Sequence, residues 1–105
     1  MCEAKTLSRR GDIMISQCFQ CKTINIWQHN VLLNFTPQQF CDFRKFISDL
    51  DFHERSHPFP DMQERAILKT PVDHINFVFT EEEWYDMREA LDEALHMQKV
   101  FDMIG

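Results

Sequence analysis

The chain repeats part of itself at a spacing of 44 residues. Residues 29–44 align without a gap with residues 73–88, and the matching pairs are Phe35 with Phe79, Thr36 with Thr80, Phe40 with Trp84, Asp42 with Asp86 and Arg44 with Arg88. Self-similarity at a fixed spacing indicates that one supersecondary unit is built twice. The pattern therefore predicts two similar strand-to-helix units, and no other feature of the sequence constrains the fold as strongly.

The residues before the first copy predict two more strands. Residues 12–17 and 22–28 both alternate apolar with polar side chains, which is typical of half-buried strands. Residues 18–21, with the sequence Cys-Phe-Gln-Cys, lie between them, where a hairpin turn is expected. Residues 31–35 continue as a third strand, so we expect the first half of the chain to contain a three-stranded meander.

Each copy of the repeat also carries the start signal of a helix. Thr36 with Gln39, and Thr80 with Glu83, have the spacing of a capping box, in which two side chains satisfy backbone N–H groups reciprocally. Apolar residues then recur every three to four positions and predict a core-facing stripe on each helix. The first stripe is Phe40, Phe43, Ile47 and Leu50, and the second is Trp84, Met87, Leu91, Leu95, Met97 and Phe101.

These elements predict a single α+β domain over residues 1–105. The first unit is expected at about residues 12–51 and the second at about residues 64–104, with residues 52–63 as a proline-containing linker. Each helix stripe needs a sheet to cover it, so we expect both helices to share one sheet. The predicted fold is a two-layer sandwich. It has a five-stranded, mainly antiparallel sheet with two helices on one face, built from two tandem ββα-like repeats with an extra N-terminal strand.

Charge and hydropathy exclude two classes of partner. The net charge is −6, with +2 in residues 1–50 and −8 in residues 51–105. An acidic surface repels phosphate backbones, so we expect no nucleic-acid binding. No apolar run reaches the roughly 20 residues that span a bilayer. Residues 1–6 carry charges where a signal peptide needs apolar side chains. We therefore expect a cytoplasmic protein with no membrane segment.

Cysteine spacing predicts a metal site. Cys18 and Cys21 form a Cys-x-x-Cys pair on the expected hairpin turn, where two thiolates can reach one metal ion at about 2.3 Å. We expect Cys2 as a third ligand, because the polar N-terminal arm is long enough to fold back, and His29 or Cys41 as a fourth. Zinc is the candidate metal. Spectator thiols are the alternative, and Cys41 is also interpreted as a small buried thiol.

Thiol redox chemistry is a second interpretation of the same pair, because a stabilised thiolate exchanges disulfides. The pair lies between two strands, however, where no helix N-terminus lowers a thiol pKa. The sequence holds no Gly-rich phosphate loop, no serine elbow and no carboxylate pair in an apolar surround. His53 and His57 lie beside two prolines and are interpreted as loop residues. No catalytic residue and no cofactor-binding residue is therefore predicted.

The chain resembles an uncharacterised family of small Bacteroidetes proteins of unknown function. The resemblance rests on Met1-Cys2, the strand Gly11 to Ser16, the turn Cys18-Phe19-Gln20-Cys21, the strand after it, and Leu33-Asn34-Phe35-Thr36 with Phe40 and Phe43. It covers most of residues 1–50. Similar sequences tend to hold Gly beside the second cysteine of the turn, where this chain has Lys22. The family has no assigned activity, so the resemblance implies no catalytic residue.

We therefore predict a non-catalytic, cytoplasmic protein-interaction module. The expected partner is a second copy of the chain, in a homodimer or a higher oligomer. A one-sided sandwich leaves a second sheet face open, and Trp27, Met14 and Leu32 are expected to form an apolar patch there. The alternative is a small thiol-redox or metal-dependent enzyme. Binding of a small ligand is a third hypothesis, and it requires an apolar pocket between sheet and helices.

Overall fold

The first sheet is formed by four strands that follow one another along the chain. In the computed structural model, which describes residues 3–69 and 73–104, these strands are β1 (Ala4–Arg10), β2 (Ile13–Cys18), β3 (Ile24–Gln28) and β4 (Val31–Phe35). Each strand pairs antiparallel with the next, in the order β1-β2-β3-β4. The predicted three-stranded meander is confirmed, and β1 adds a strand that the sequence pattern does not predict.

The inner face of this sheet forms much of the core. Ile13, Ile15, Ile24 and Ile26 are fully buried there, and each such side chain contributes about 1.5–3 kcal/mol. β1 joins the same core through a bulge between Thr6 and Ser8, which shifts the register. Because of this extra residue, the consecutive side chains Leu7 and Ser8 are both buried, which breaks the alternation by which a strand is recognised.

The described chain contains three helices, α1 (Pro37–Ser48), α2 (Phe52–Arg55) and α3 (Glu81–Ile104). α1 begins at a complete capping box: Thr36 accepts a hydrogen bond from the Gln39 N–H at 3.2 Å, and Gln39 accepts one from the Thr36 N–H at 3.0 Å. Thr80 and Glu83 repeat this arrangement at the start of α3, with distances of 3.2 and 2.8 Å. Both predicted helix starts are confirmed.

A second, separate sheet makes the predicted fold class wrong. β5 (Ser56–Pro58), β6 (Glu64–Lys69) and β7 (Asn76–Phe79) form a three-stranded antiparallel sheet in the order β5-β6-β7. The fold is α+β with two antiparallel sheets and three helices, and not one five-stranded sheet under two helices. Among the described residues, β4 pairs only with β3 and β7 only with β6, which leaves one edge of each of these strands open.

The ring of Phe43 gives a physical reason for the separation. Phe43 on α1 stacks on Phe35 of β4, with the ring centroids 5.2 Å apart, and meets Phe77 of β7 edge-on at 6.2 Å. An aromatic ring therefore joins these two strands where a single sheet requires a ladder of backbone hydrogen bonds. The sequence stripe places Phe43 in the core but does not show that it lies between two strands.

The predicted linker, residues 52–63, contains secondary structure. α2 buries Phe52, which contacts the ring of Trp84 with the centroids 6.0 Å apart, and β5 pairs with β6. Pro58 lies at the end of a three-residue edge strand, a position that tolerates proline. Short elements of this kind show no periodicity, so the sequence pattern does not reveal them.

α3 connects the two sheets. Its first turns pack on the second sheet, where Trp84 meets Phe79 of β7, with the centroids 6.1 Å apart. Farther along, the Ser8 hydroxyl of β1 donates a 2.7 Å hydrogen bond to the Ala90 carbonyl, and Arg10 forms an ion pair with Glu93. Buried residues of both sheets and all three helices belong to one hydrophobic cluster. The assignment of residues 1–105 to one domain built from two units stays a prediction.

Candidate interaction surface

The outer face of the first sheet carries an exposed apolar row. Cross-strand pairing aligns Arg9 of β1, Met14 of β2, Trp27 of β3 and Leu32 of β4 side by side. Trp27 is 52% exposed and Leu32 is 58% exposed, whereas Met14 is half-buried. The prediction that these three apolar residues share an open sheet face is confirmed. We call Met14, Trp27 and Leu32 the outer row.

Trp27 is held in place on this face. Its indole Nε1 donates a 2.8 Å hydrogen bond to the backbone carbonyl of His29, in the turn between β3 and β4. The polar atom of the side chain is thereby satisfied and the apolar ring surface is left exposed. A fixed aromatic ring loses little conformational entropy on binding, which is a property of binding hot spots.

The strand positions in and beside the outer row are mostly uncharged. The next row on the same face aligns Thr6, Ser16, Asn25 and Asn34. Among these eight positions, Arg9 is the only charged residue, in a chain of net charge −6. The outer face of the first sheet therefore combines exposed apolar area with an absence of carboxylates at these positions.

A second apolar surface lies between the two sheets, and we call it the slot. Two cavities of about 190 and 750 Å³ are both lined by Val31 and Leu33 of β4, Phe43 of α1 and Phe77 of β7. The larger cavity extends over Phe46 and the smaller one reaches His29 and Glu83. Binding of a small ligand would require an apolar space of this kind. The sequence does not reveal the slot, because β4 and β7 are distant from each other in the chain.

The two edges that border the slot differ from the outer edges of the sheets. β1 carries Lys5, Arg9 and Arg10 and a bulge, and β5 is only three residues long and contains Pro58. Such features prevent pairing with other strands. β4, with the sequence Val-Leu-Leu-Asn-Phe, and β7, with Asn-Phe-Val-Phe, contain no charged residue and no proline. The open edges of β4 and β7 are therefore unprotected.

The Cys-x-x-Cys pair lies in the predicted place, on the hairpin between β2 and β3. Cys18 ends β2 and is buried, whereas Cys21 is exposed in the turn. The Cys21 N–H donates to the Cys18 sulfur at 3.4 Å, and the Cys21 thiol lies 3.4 Å from the Thr23 hydroxyl. Lys22 has φ of 68°, so it adopts the left-handed conformation that favours glycine.

The structure describes two of the remaining predicted ligands, Cys41 and His29, and neither forms a metal-binding group with the turn. Cys2 lies outside the described residues. Cys41 is exposed on α1, so its interpretation as a buried thiol is wrong. His29 instead faces Glu83, with Nε2 3.4 Å from Oε2. Within residues 3–69 and 73–104, no group of three or more His, Cys, Asp or Glu side chains is placed to hold a metal ion.

His29 and Glu83 link the turn after β3 to the start of α3 at one end of the slot. Partial burial disfavours the charge of Glu83, but hydrogen bonds from the Thr80 backbone and from His29 outweigh it. The pKa of Glu83 therefore lies below its ordinary value. On the surface, the hydrogen bond from Arg65 lowers the pKa of Asp61 to about 2. The first shift belongs to a helix cap and the second to a surface ion pair.

Comparison with known proteins places the chain in a family. Residues 1–104 match the family model described as a family of unknown function, DUF6686. The chain belongs to DUF6686. The prediction that the chain belongs to a family of unknown function is confirmed. The DUF6686 match includes both sheets and all three helices. No curated protein and no solved structure matches the chain. Within the part of the DUF6686 chain that the structure describes, no helix is long and apolar enough to cross a membrane.

Proposed function

We propose that this protein is a non-catalytic interaction module that associates with a second copy of itself through the outer row. The observation that carries the proposal is the alignment of Met14, Trp27 and Leu32 on an open sheet face, with the Trp27 indole hydrogen-bonded in place. An exposed apolar patch on a sheet face is typical of an interaction site. Aromatic anchors supply much of the binding energy of such sites.

Electrostatics support a second copy as the partner. Two copies with a net charge of −6 each repel one another, and the repulsion is smallest where carboxylates are absent. The eight positions of the outer row and the polar row beside it include no carboxylate, and Asp12 lies beside the row, in a cavity that Arg9, Met14 and Trp27 also line. A face-to-face contact places one apolar row on another and leaves the acidic α3 of each copy in solvent.

Sedimentation velocity over a range of concentrations tests this proposal. We expect the wild-type protein to form dimers or larger species as its concentration rises, and Trp27→Ser to weaken the association about thirtyfold, the effect of losing a hot spot of about 2 kcal/mol. Tyr85→Ser, at an aromatic side chain of α3 that is 44% exposed, is the control and should associate like the wild type. A wild-type protein that stays monomeric at millimolar concentration contradicts the proposal.

We also propose a structural zinc ion at Cys18, Cys21 and Cys2. The hydrogen bond from the Cys21 N–H to the Cys18 sulfur supports it, because a backbone N–H group directed at sulfur stabilises a thiolate. Elemental analysis of the purified protein tests it. We expect stoichiometric zinc in the wild type and in Cys41→Ser, and none in Cys18→Ser/Cys21→Ser. Absence of metal from the wild type contradicts it.

A thiol-redox or metal-dependent enzyme is the rival function. It requires a reactive thiolate or a metal ion with an open coordination position. Alkylation kinetics measured against pH separate the two functions. With any metal removed, a structural or spectator thiol reacts only as the pH approaches about 8.5, whereas a redox thiolate reacts well below that value.

A further inference from the structure

The slot between β4 and β7 has the features of a site for an extended peptide strand. Its two long walls are the open edges of two different sheets, and its floor is the aromatic ring of Phe43. β4 has five residues, so the longer wall measures about 17 Å at 3.3–3.4 Å per residue. We infer that one extended segment of another polypeptide binds in this slot and pairs with both β4 and β7.

The direction of the backbone groups in β4 supports strand pairing. Gln28 and Val31 close a two-residue turn, so they form a hydrogen-bonded pair, and such pairs alternate along the hairpin. Val31, Leu33 and Phe35 therefore direct their N–H and C=O groups towards β3. Leu32 and Asn34 direct theirs to the open edge, where an added strand satisfies them.

The contrast between the four sheet edges also supports this inference. The edges at β1 and β5 carry charge, a bulge or proline, whereas those at β4 and β7 have none of these three features. Unprotected edges are liable to pair with other chains. Protection therefore fails only at the two edges that face the slot.

A second folded copy of this chain does not supply the segment. A strand that fills the slot lies between the edge of β4 and the edge of β7. Both of its own edges must therefore be free to pair. Every strand in the described part of the chain already pairs with at least one neighbour. A copy can therefore offer one free edge to β4 or to β7, but no strand that fits between them. The occupant is an otherwise unpaired segment of a different polypeptide.

The lining defines the chemistry of this segment. Val31, Leu33, Phe43, Phe46 and Phe77 require apolar side chains at alternate positions, which face the floor of the slot. Two carboxylates, Asp42 and Glu83, line the two cavities together with Lys69 and with His29, whose Nε2 lies 3.4 Å from the Glu83 Oε2 atom. In a chain of net charge −6, this excess of carboxylates favours basic residues on either side of the apolar positions.

Fluorescence anisotropy with a defined probe tests the inference. The probe is the fluorescein-labelled peptide Lys-Val-Thr-Val-Thr-Val-Lys, titrated with the full chain. We expect saturable binding with a Kd on the order of 10–100 µM. Two altered probes, one N-methylated at alternate residues and one with glutamate at both ends, should bind about tenfold more weakly, because the first lacks backbone donors and the second carries the wrong charge.

Protein variants locate the binding site. Val78→Lys places a charge on β7 beside the smaller cavity and should weaken probe binding about tenfold, whereas Thr6→Lys on the protected β1 edge should leave it unchanged. Three results overturn the inference: no saturable binding at millimolar protein, equal binding of the N-methylated probe, or equal loss in both variants.

The slot and the outer row can also be distinguished by self-association. If Val78→Lys abolishes self-association and Trp27→Ser does not, the slot binds a second copy and the inference is wrong. A strict monomer that binds the probe contradicts only the proposed self-association.

Discussion

The hydroxyl group of Ser8 in β1 donates a 2.7 Å hydrogen bond to the carbonyl oxygen of Ala90 in α3, across 82 positions of sequence. Both residues are buried. We predict that Ser8→Ala lowers the free energy of unfolding by about 1 kcal/mol, the typical contribution of one hydrogen bond. Urea denaturation measures the difference. Ser16→Ala, on the outer face of the same sheet, is the control and should change the unfolding midpoint much less. Equal midpoints for the two variants would contradict this role of Ser8.

Gly11 allows the turn between β1 and β2 to approach α3. Its φ is +54°, and a Cβ atom there would lie 2.5 Å from the Asp86 Oδ2 atom. We predict that Gly11→Ala destabilises the protein by about 1–2 kcal/mol, partly from the left-handed backbone and partly from this contact. Asp86→Ala removes only the contact. In a double-mutant cycle measured by urea denaturation, adding Asp86→Ala to Gly11→Ala should recover part of the lost free energy of unfolding. Purely additive effects would show that the contact with Asp86 does not destabilise the Gly11→Ala variant.

Glu83 makes stability depend on pH. Its pKa in the folded state lies below the ordinary value of 4.5, so its charge stabilises the fold above that pH, and this contribution is lost as the pH falls through the folded-state pKa. Glu83→Gln preserves a capping box like the one at Thr36 and Gln39. We predict that it is less stable than the wild type at neutral pH, and that the difference disappears in strong acid. Denaturant unfolding at both pH values measures this, with Glu82→Gln as the control for removing a charge from the same helical turn. A difference that persists in acid would contradict the prediction.

Phe43 holds the two sheets together from α1. Its ring contacts Phe35 on one side and Phe77 on the other. We predict that Phe43→Ala lowers the free energy of unfolding by about 2–3 kcal/mol, below the usual range for a fully buried phenylalanine because the ring is half-buried. Phe46→Ala, on the same helix at a side chain that is 44% exposed, should cost less than about 1 kcal/mol. Thermal unfolding of the two variants side by side gives the comparison. Equal losses would mean that Phe43 does not bridge the sheets.

Local signals in the sequence predict much of this fold. Both capping boxes involve residues three positions apart, and strand alternation assigns Ile26 and Trp27 to opposite faces without knowledge of the rest of the chain. The outer row follows from that alternation. β1 does not follow from alternation, because Ser8 is a buried polar residue. Its hydroxyl finds a hydrogen-bond acceptor only in Ala90, 82 positions away.

The division into two sheets depends on contacts that the sequence pattern does not contain. Repetition of a strand-to-helix unit favours a shared sheet, but it does not determine whether the two equivalent strands pair with each other. That outcome depends on the position of the Phe43 ring between Phe35 and Phe77. The slot is missed for the same reason, although the lack of charge and proline in β4 and β7 is visible in the sequence and indicates unprotected edges.

The most direct test of the proposed self-association follows the two indole N–H signals by nuclear magnetic resonance. Trp27 is 52% exposed in the outer row and Trp84 is 1% exposed in the core, so each reports on a different part of the molecule. In a dilution series of the ¹⁵N-labelled protein from millimolar to micromolar concentration, we predict that the Trp27 indole signal shifts while the Trp84 signal stays in place. A Trp27 signal that does not change over this range would contradict association through the outer row.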